Sequence, residues 1–457
     1  MNSRYLSDHP SFSSVVDSFK RGQSTPREYL ETCIAAIERF NPTIQAFTHT
    51  NLDKARKLAD ESTARYRAGS PLSPIDGMPI GVKDIIDTAD MPTQMNSPIY
   101  EGHYPRSDAA AVRALYEGGG IPVGKTVTTE FAIGVSGPTV NPHNTEHTPG
   151  GSSSGSAAGT AAGMFSAALG TQTQGSIIRP ASFCGVIGYK PTWSALSSDG
   201  IHPLSTTHDH LGTIADSVDD AWKLARWISE RAPQQNAPGL SGPMGDTAIP
   251  PQALETVAVL RTQGYETLDE ASLEAFDATL ERLREKGVRV VEPDADGALA
   301  SLVAQLDAIP DMSQELLCFE MRWPYMGYAS AYPDKLSQKI HAMVEQGKAV
   351  TRDRYREILA IRNELRRQIA ARSGQYDAFV LPSASGPAPR GLEYTGDRTL
   401  LVYGSLLGVP AYSLPVMDVD SMPLGLQLMG YADADYRLTC HAAWVMDEIG
   451  ARARTNA

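Results

Sequence analysis

Residues 149–193 read PGGSSSGSAAGTAAGMFSAALGTQTQGSIIRPASFCGVIGYKPTW. A run so poor in bulky side chains can fold in few ways. Gly150–Ser156 is a Gly/Ser loop that lets another group approach the backbone closely. Ala157–Leu169 reads as a small-residue helix, able to pack tightly in a core and to aim its unpaired N–H groups at that loop. Gly170–Pro180 reads as a second tight loop with hydroxyls, amides and one arginine. Two hydroxyl-bearing loops joined by a buried helix can meet in space, which is one way to place a nucleophile beside backbone donors for an oxyanion. A Ser/Gly run alone is as readily a flexible linker. The Ala-rich segment that follows it and the apolar segments beyond place it inside a domain.

The 457-residue chain suits about three domains or one large α/β domain, and it is long enough for a substantial core. Forty basic against fifty-three acidic side chains leave −13, which lowers the weight of a nucleic-acid binder. No stretch approaches ~18 consecutive apolar residues, so no membrane association is expected. The N-terminus MNSRYLSDHPSFSS has no apolar core of a secretory signal. Cysteines 33, 184, 318 and 440 are too widely spaced for a CxxC redox or zinc motif, and reduced thiols in a cytoplasmic protein are expected. His208 and His210 form an HDH that suits a metal loop less well than an ordinary loop or core role. Cys184, in Phe183-Cys184-Gly185, is a conceivable nucleophile but reads better as a packing thiol.

Along the chain, Thr25-Pro26-Arg27-Glu28 is a capping box with proline at the first helical position. Residues 1–70 are expected as a helical arm, able to support a homodimer. Residues 71–457 are expected as a single large α/β/α domain around a mixed, mostly parallel twisted sheet. Met78–Val82, Ile121–Val123, Thr256–Leu260, Val288–Val291, Ala378–Pro382 and Pro423–Met429 read as strands separated by helical segments. Residues 236–370 are taken as a variable region lining the cleft. Within it Trp323, Tyr325, Met326 and Tyr328 are candidates for an apolar wall, though ordinary core packing or a surface loop explains them more simply.

No histidine lies within 149–193, so the residues do not dictate a Ser-His-Asp arrangement. A lysine base is the alternative, and it works only when neutral; burial lowers an ammonium's pKa. Lys83 ends the apolar run Ile80-Gly81-Val82 and is the best candidate, although a lysine at a strand end is commonly a surface residue.

These segments together resemble the amidase signature family of serine hydrolases. GGSSSGSAAG, GTQTQGS and RPASFCGVIGYKPT are similar to the family's signature. PLSPIDGMPIGVKDIIDTADMPT is similar to its lysine segment, GKTVTTEFA to the segment after it, and YDAFVLPSASGPAP and PLGLQLMGYADADYRL to its C-terminal segments. The resemblance covers most of 20–235 and 375–445. It implies a triad of Ser176 as nucleophile, Ser152 as bridging serine on a cis peptide bond, and Lys83 as base. It further implies an oxyanion hole from the N–H groups of Thr173, Gln174, Gly175 and Ser176, with Ser153 bonding Lys83 or Ser152 from behind. The implied activity is hydrolysis of the C–N bond in a linear amide, anilide or carbamate (urethane) through an acyl-enzyme, with no metal or organic cofactor and a small-molecule substrate. The family also includes the glutamine-amidase subunit of glutamyl-tRNA amidotransferase, which is the alternative.

The chain departs from the family's common T-D-T-G-G-S-I-R. It has Gln172 in place of an acid, Gln174 in place of a glycine, and Arg179 one position later. Gln174 is strained if that position needs a positive φ; otherwise its amide narrows the acyl side of the cleft. Gly119–Thr126 also satisfies the phosphate-loop pattern GxxxxGK[ST]. That reading needs a strand before the match and a helix after it, whereas here the strand falls inside the match and Pro122 removes an N–H.

Overall fold

The computed structural model describes residues 5–6, 9–235, 237–245 and 247–450. One mixed sheet of eleven strands spans the molecule: β1 (Phe47–Thr50), β2 (Pro79–Lys83), β3 (Ile121–Thr126), β4 (Ala167–Gln172), β5 (Ile187–Lys190), β6 (His210–Ala215), β7 (Thr256–Val259), β8 (Arg289–Val291), β9 (Ala378–Pro382), β10 (Ala411–Val419) and β11 (Met422–Met429). Their spatial order is β1-β3-β2-β4-β6-β5-β10-β11-β9-β7-β8. Strands β2, β3, β6, β9 and β11 are buried at every residue, so the sheet is covered on both faces, as an α/β domain requires.

The expected mixed sheet is present, but its parallel majority is not. Parallel pairing is confined to two flanking triplets, β3-β2-β4 and β9-β7-β8, and the other six of the ten pairings are antiparallel. The reason lies in the connections. β2 reaches β3 through helix Ala110–Glu117, and β7 reaches β8 through helix Glu270–Glu285, the crossovers a parallel pair needs. β10 instead turns directly into β11 at Asp420 and Ser421, both with positive φ (52° and 65°), the backbone of a two-residue hairpin.

Two further differences concern local structure. The helix expected over 157–169 runs only Ser154–Ala161, and the rest is a turn at Gly163 (φ 66°) followed by β4. Alanine and glycine carry no periodic signal that separates these states. What decides is Phe165, whose ring fills the space that the missing side chains of Gly81 and Gly159 leave open. Within 1–70, helices Phe12–Lys20, Pro26–Ile44 and Leu52–Arg67 are present, Thr25 caps the second as its capping box predicts, and β1 between the second and third closes the sheet edge. The first helix is fastened by the buried Asp220 carboxylate, which accepts the N–H groups of Phe12 and Ser13.

Candidate active site

Two neighbouring strands of one parallel triplet carry lysines into the protein interior, and they differ in company. Lys125 on β3 lies 3.2 Å from the buried Asp84 carboxylate and donates to Thr93 Oγ1. The phosphate-loop match is therefore a buried strand with an ion-paired lysine. Lys83, at the end of β2, is fully buried and has only neutral partners: its Nζ lies 2.8 Å from Ser152 Oγ, 2.7 Å from Thr171 Oγ1 and 3.2 Å from Thr171 O. Burial pushes its pKa well below the ordinary lysine value, and the more distant charge of Asp209 only partly opposes this. Thr171 is no candidate from sequence. It reaches Lys83 because β2 and β4 are parallel neighbours with Val82 opposite Leu169.

Ser152 is 3% exposed, and the Gly151–Ser152 peptide bond is cis. The carbonyls on either side are held: Gly151 O accepts from Arg179 Nη2 (2.7 Å), and Ser152 O accepts from Thr129 N–H (3.3 Å). The Ser153 N–H donates to Ser176 O at 3.3 Å, which ties the two serine loops together. Ser176 is half-buried, whereas Lys83 and Ser152 are sealed, so the expected nucleophile stands on the solvent side of the other two. Ser153 does not bond Lys83 or Ser152. Its hydroxyl donates to Thr171 O (3.4 Å), so it shares an acceptor with Lys83.

Gln172 accounts for the changed signature. Its Oε1 accepts the N–H groups of Ile177 (2.9 Å) and Ile178 (3.1 Å), capping helix Ile178–Cys184, and its Nε2 donates to Ser405. A carboxylate could accept those N–H groups but could not donate to Ser405. The N–H groups of Thr173, Gln174, Gly175 and Ser176 have no acceptor among the described residues. Gln174 has no positive φ, so its side chain adds no backbone strain. Both ends of its amide are taken up by protein partners: Nε2 donates to Ser313 Oγ (2.9 Å), and Oε1 accepts from Arg398 Nη1 (2.7 Å). Thr173 Oγ1 donates to Asp209 Oδ1 (2.7 Å), and burial raises that carboxyl to about 6.

Arg179 is buried with neutral acceptors only, the carbonyls of Gly151, Gly396 and Asp397 and the hydroxyl of Thr395, and burial lowers its pKa to about 10. It clamps the Ser152 loop to segment 395–397.

The expected aromatic wall splits. Tyr325 is fully buried, and Tyr328 stacks on Phe131 (5.5 Å) and bonds Tyr100 OH (2.6 Å). Trp323 is 78% exposed and Met326 is exposed too, so the four do not form one surface. Phe131, which stands out in the sequence only as part of GKTVTTEFA, is the centre of the cluster, two residues from the Thr129 that holds Ser152.

His208 and His210 are buried core residues. His208 links Ser205 Oγ to Ser313 Oγ, and burial lowers its pKa to about 3. His143 and His147 stand at the spacing of helical metal ligands, but each ring meets a backbone carbonyl instead. No cluster of metal-ligating side chains occurs among the described residues. Cys184 is buried with its thiol on Pro149 O, and burial raises its pKa, as for a packing residue. Among the described residues no helix is long and apolar enough to cross a membrane.

A single α/β domain that joins two serine loops over a sealed lysine falls in the class of hydrolases acting on C–N bonds. The Amidase family model matches residues 28–439, and the chain belongs to that family, the amidase signature hydrolases. It is 30% identical to a glutamyl-tRNA(Gln) amidotransferase subunit from Rhodopirellula baltica, over 94% of each chain. The corresponding protein of Methanothermobacter thermautotrophicus is 32% identical over 90% of this chain and 94% of that one. Among solved structures, native peptide amidase from Stenotrophomonas maltophilia superposes with a TM-score of 0.80 at 25% identity, covering 97% of this chain and 98% of that one.

Proposed function

We propose that the protein hydrolyses a linear amide, anilide or carbamate through an acyl-enzyme on Ser176, with Ser152 and Lys83 as the proton relay. The observation that carries this reading is the 2.8 Å approach of the buried Lys83 Nζ to Ser152 Oγ, with no carboxylate paired to the amine among the described residues. A neutral amine there offers its lone pair to the Ser152 hydroxyl hydrogen. Ser152 in turn takes the proton of Ser176 as its Oγ attacks the carbonyl carbon. The oxyanion forms against the N–H groups of Thr173–Ser176, where one such donor is typically worth ~3–4 kcal/mol. The proton returns through Ser152 to the leaving nitrogen. Water then attacks the acyl-enzyme by the same relay, and Ser176 leaves with its proton restored. A carbamate follows the same course because its carbonyl carries nitrogen on one side and oxygen on the other.

A second reading is favoured by the relatives named as amidotransferase subunits: release of ammonia from glutamine for partner subunits. A panel of 4-nitroanilides, aryl carbamates, primary amides and glutamine, assayed with the purified chain, separates the two. Ser176→Ala is expected to lower turnover of the best substrate at least about a thousandfold and to abolish fluorophosphonate labelling, with an unchanged melting curve. Retained activity or labelling refutes the assignment of Ser176.

A further inference from the structure

Segment 394–401 lies over both serine loops. A methyl group on Gly151 would come within 2.9 Å of Thr395 Cγ2, and one on Gly175 within 2.6 Å of Leu401 Cδ1. From this segment the half-buried Arg398 reaches in. Its Nη1 donates to Gln174 Oε1 (2.7 Å), two residues before Ser176, and its Nη2 donates to Gln314 Oε1 (2.6 Å). Both acceptors are uncharged, and a guanidinium has five N–H bonds, so three remain after these two contacts.

Two more cations stand close by. Arg179 meets only neutral acceptors, and its Nε is buried without a partner. Lys339, at the start of helix Gln338–Ala349, is exposed as a residue but partly desolvated by the protein around it. That desolvation and the neighbouring charges of Arg179 and Arg398 lower its pKa, opposed by Glu130. None of the three forms an ion pair with a carboxylate among the described residues, where surface arginines elsewhere in the chain do so repeatedly. Two acids face them and offset part of their charge without pairing to any of them. Glu130 accepts the N–H groups of Ser337 and Val135, and Asp397 Oδ1 accepts that of Thr399. Three cations against these two acids leave the rim with an excess of positive charge that a further anion would complete, and a carboxylate on a guanidinium fork is the stronger for being shielded from water.

We propose that the substrate bears a carboxylate, taken by Arg398 with Lys339 beside it, so that the site selects anionic amides over neutral ones. This inference rests on the amidase reading above. The carboxylate belongs either to the acyl part or to the amine part, and two substrate pairs separate these sources. Succinic acid mono-4-nitroanilide against its methyl ester tests the acyl side. 4-Acetamidobenzoate against acetanilide tests the amine side. In one pair the carboxylated member is expected to have a kcat/KM about ten- to a hundredfold higher, carried mainly by KM. Arg398→Gln is expected to bring that ratio close to one, and Lys339→Met to lower it in part. The neutral member of each pair corrects for any general damage to the loop. A ratio near one in both pairs, or a ratio that neither substitution moves, overturns the proposal. If neither the anilides nor any carbamate or primary amide of the panel is turned over, the amidase reading falls. Calorimetric titration of the same pairs into the Ser176→Ala variant then decides the carboxylate reading, where tighter binding of the anionic member supports it and equal affinity overturns it.

Discussion

Segment 150–184 and the helices between Ile309 and Ala370 face one another across Gln174 and Ser313, yet they are built on opposite rules. In the first, nearly every residue is buried, and most side-chain polar groups are met individually: Ser154 Oγ by Gly150 O, Ser156 Oγ by Leu169 O, the Arg179 Nη atoms by backbone carbonyls. In the second, helices Gln338–Ala349 and Arg352–Ala370 each bury one largely apolar stripe, and their charges pair along the outer face, as Lys348 with Glu345, Arg356 with Asp353 and Arg367 with Glu364. Such exposed pairs are each worth about 0–1 kcal/mol. One region is specified atom by atom and the other mainly by period and volume. Substitution should therefore be punished in the first and tolerated in the second.

The largest test of that contrast is Gly155→Ala. An added methyl at Gly155 would sit 2.1 Å from Ala46 O and 2.4 Å from Val127 N, both backbone atoms that cannot turn aside. Val127 O also accepts the Gly155 N–H, so the helix cannot retreat without breaking that bond. Although alanine is the better helix former, the substitution is expected to cost about 3 kcal/mol in urea unfolding, or to abolish soluble expression. A variant as stable as the parent would show that segment 150–184 has slack that its packing denies.

A smaller effect is expected at the seam. Asp209 accepts from Thr173 in the serine loop, and it is the charge that opposes the lowering of Lys83's pKa. On the proposed mechanism activity needs neutral Lys83, so the rate should rise with pH through that lowered pKa and be lost on the acid side. Asp209→Asn removes a negative charge that favours the ammonium, so Lys83 should deprotonate more readily and the acid limb of kcat/KM should move to lower pH, by about one unit or less. The difference should appear only above about pH 6, where Asp209 itself is charged. A limb that moves to higher pH, or one that does not exist, would break the link between Lys83 and the rate.

The same contrast explains how much can be read from the chain. Lys83, Ser152 and Ser176 lie in motifs, because a close-packed site fixes residue type at each position. The β2–β3 pair and the β9-β7-β8 triplet are legible through their strand–helix–strand alternation, whereas β4 is hidden in an Ala/Gly run that reads as helix. The antiparallel centre is not: β10 carries Pro415, and β6 follows a long loop with no helix before it, so neither shows a periodic signal. Ser153's true acceptor depends on the strand register of β4. Arg398 is invisible for a simpler reason, since it meets Gln174 across 224 residues and no local pattern encodes such a contact.

The mildest prediction runs the opposite way from Gly155. Gly327 lies in helix Arg322–Ala331, exposed, with no positive φ and nothing within 4 Å of the position an added methyl would take. Alanine there loses no contact and restricts the unfolded chain, so Gly327→Ala should raise stability by about 0.5–1 kcal/mol, read in the same urea titration. The neighbours make this a demanding test. Tyr325 and Tyr328 anchor the helix to Phe131, so a shift of the helix would be felt at the cluster beside Ser152. A gain in stability with unchanged KM places Gly327 on the tolerant side of the contrast. A loss would mean that the exposed face of this helix is held as tightly as its buried one, and that the aromatic cluster extends the close-packed catalytic region into the helical layer.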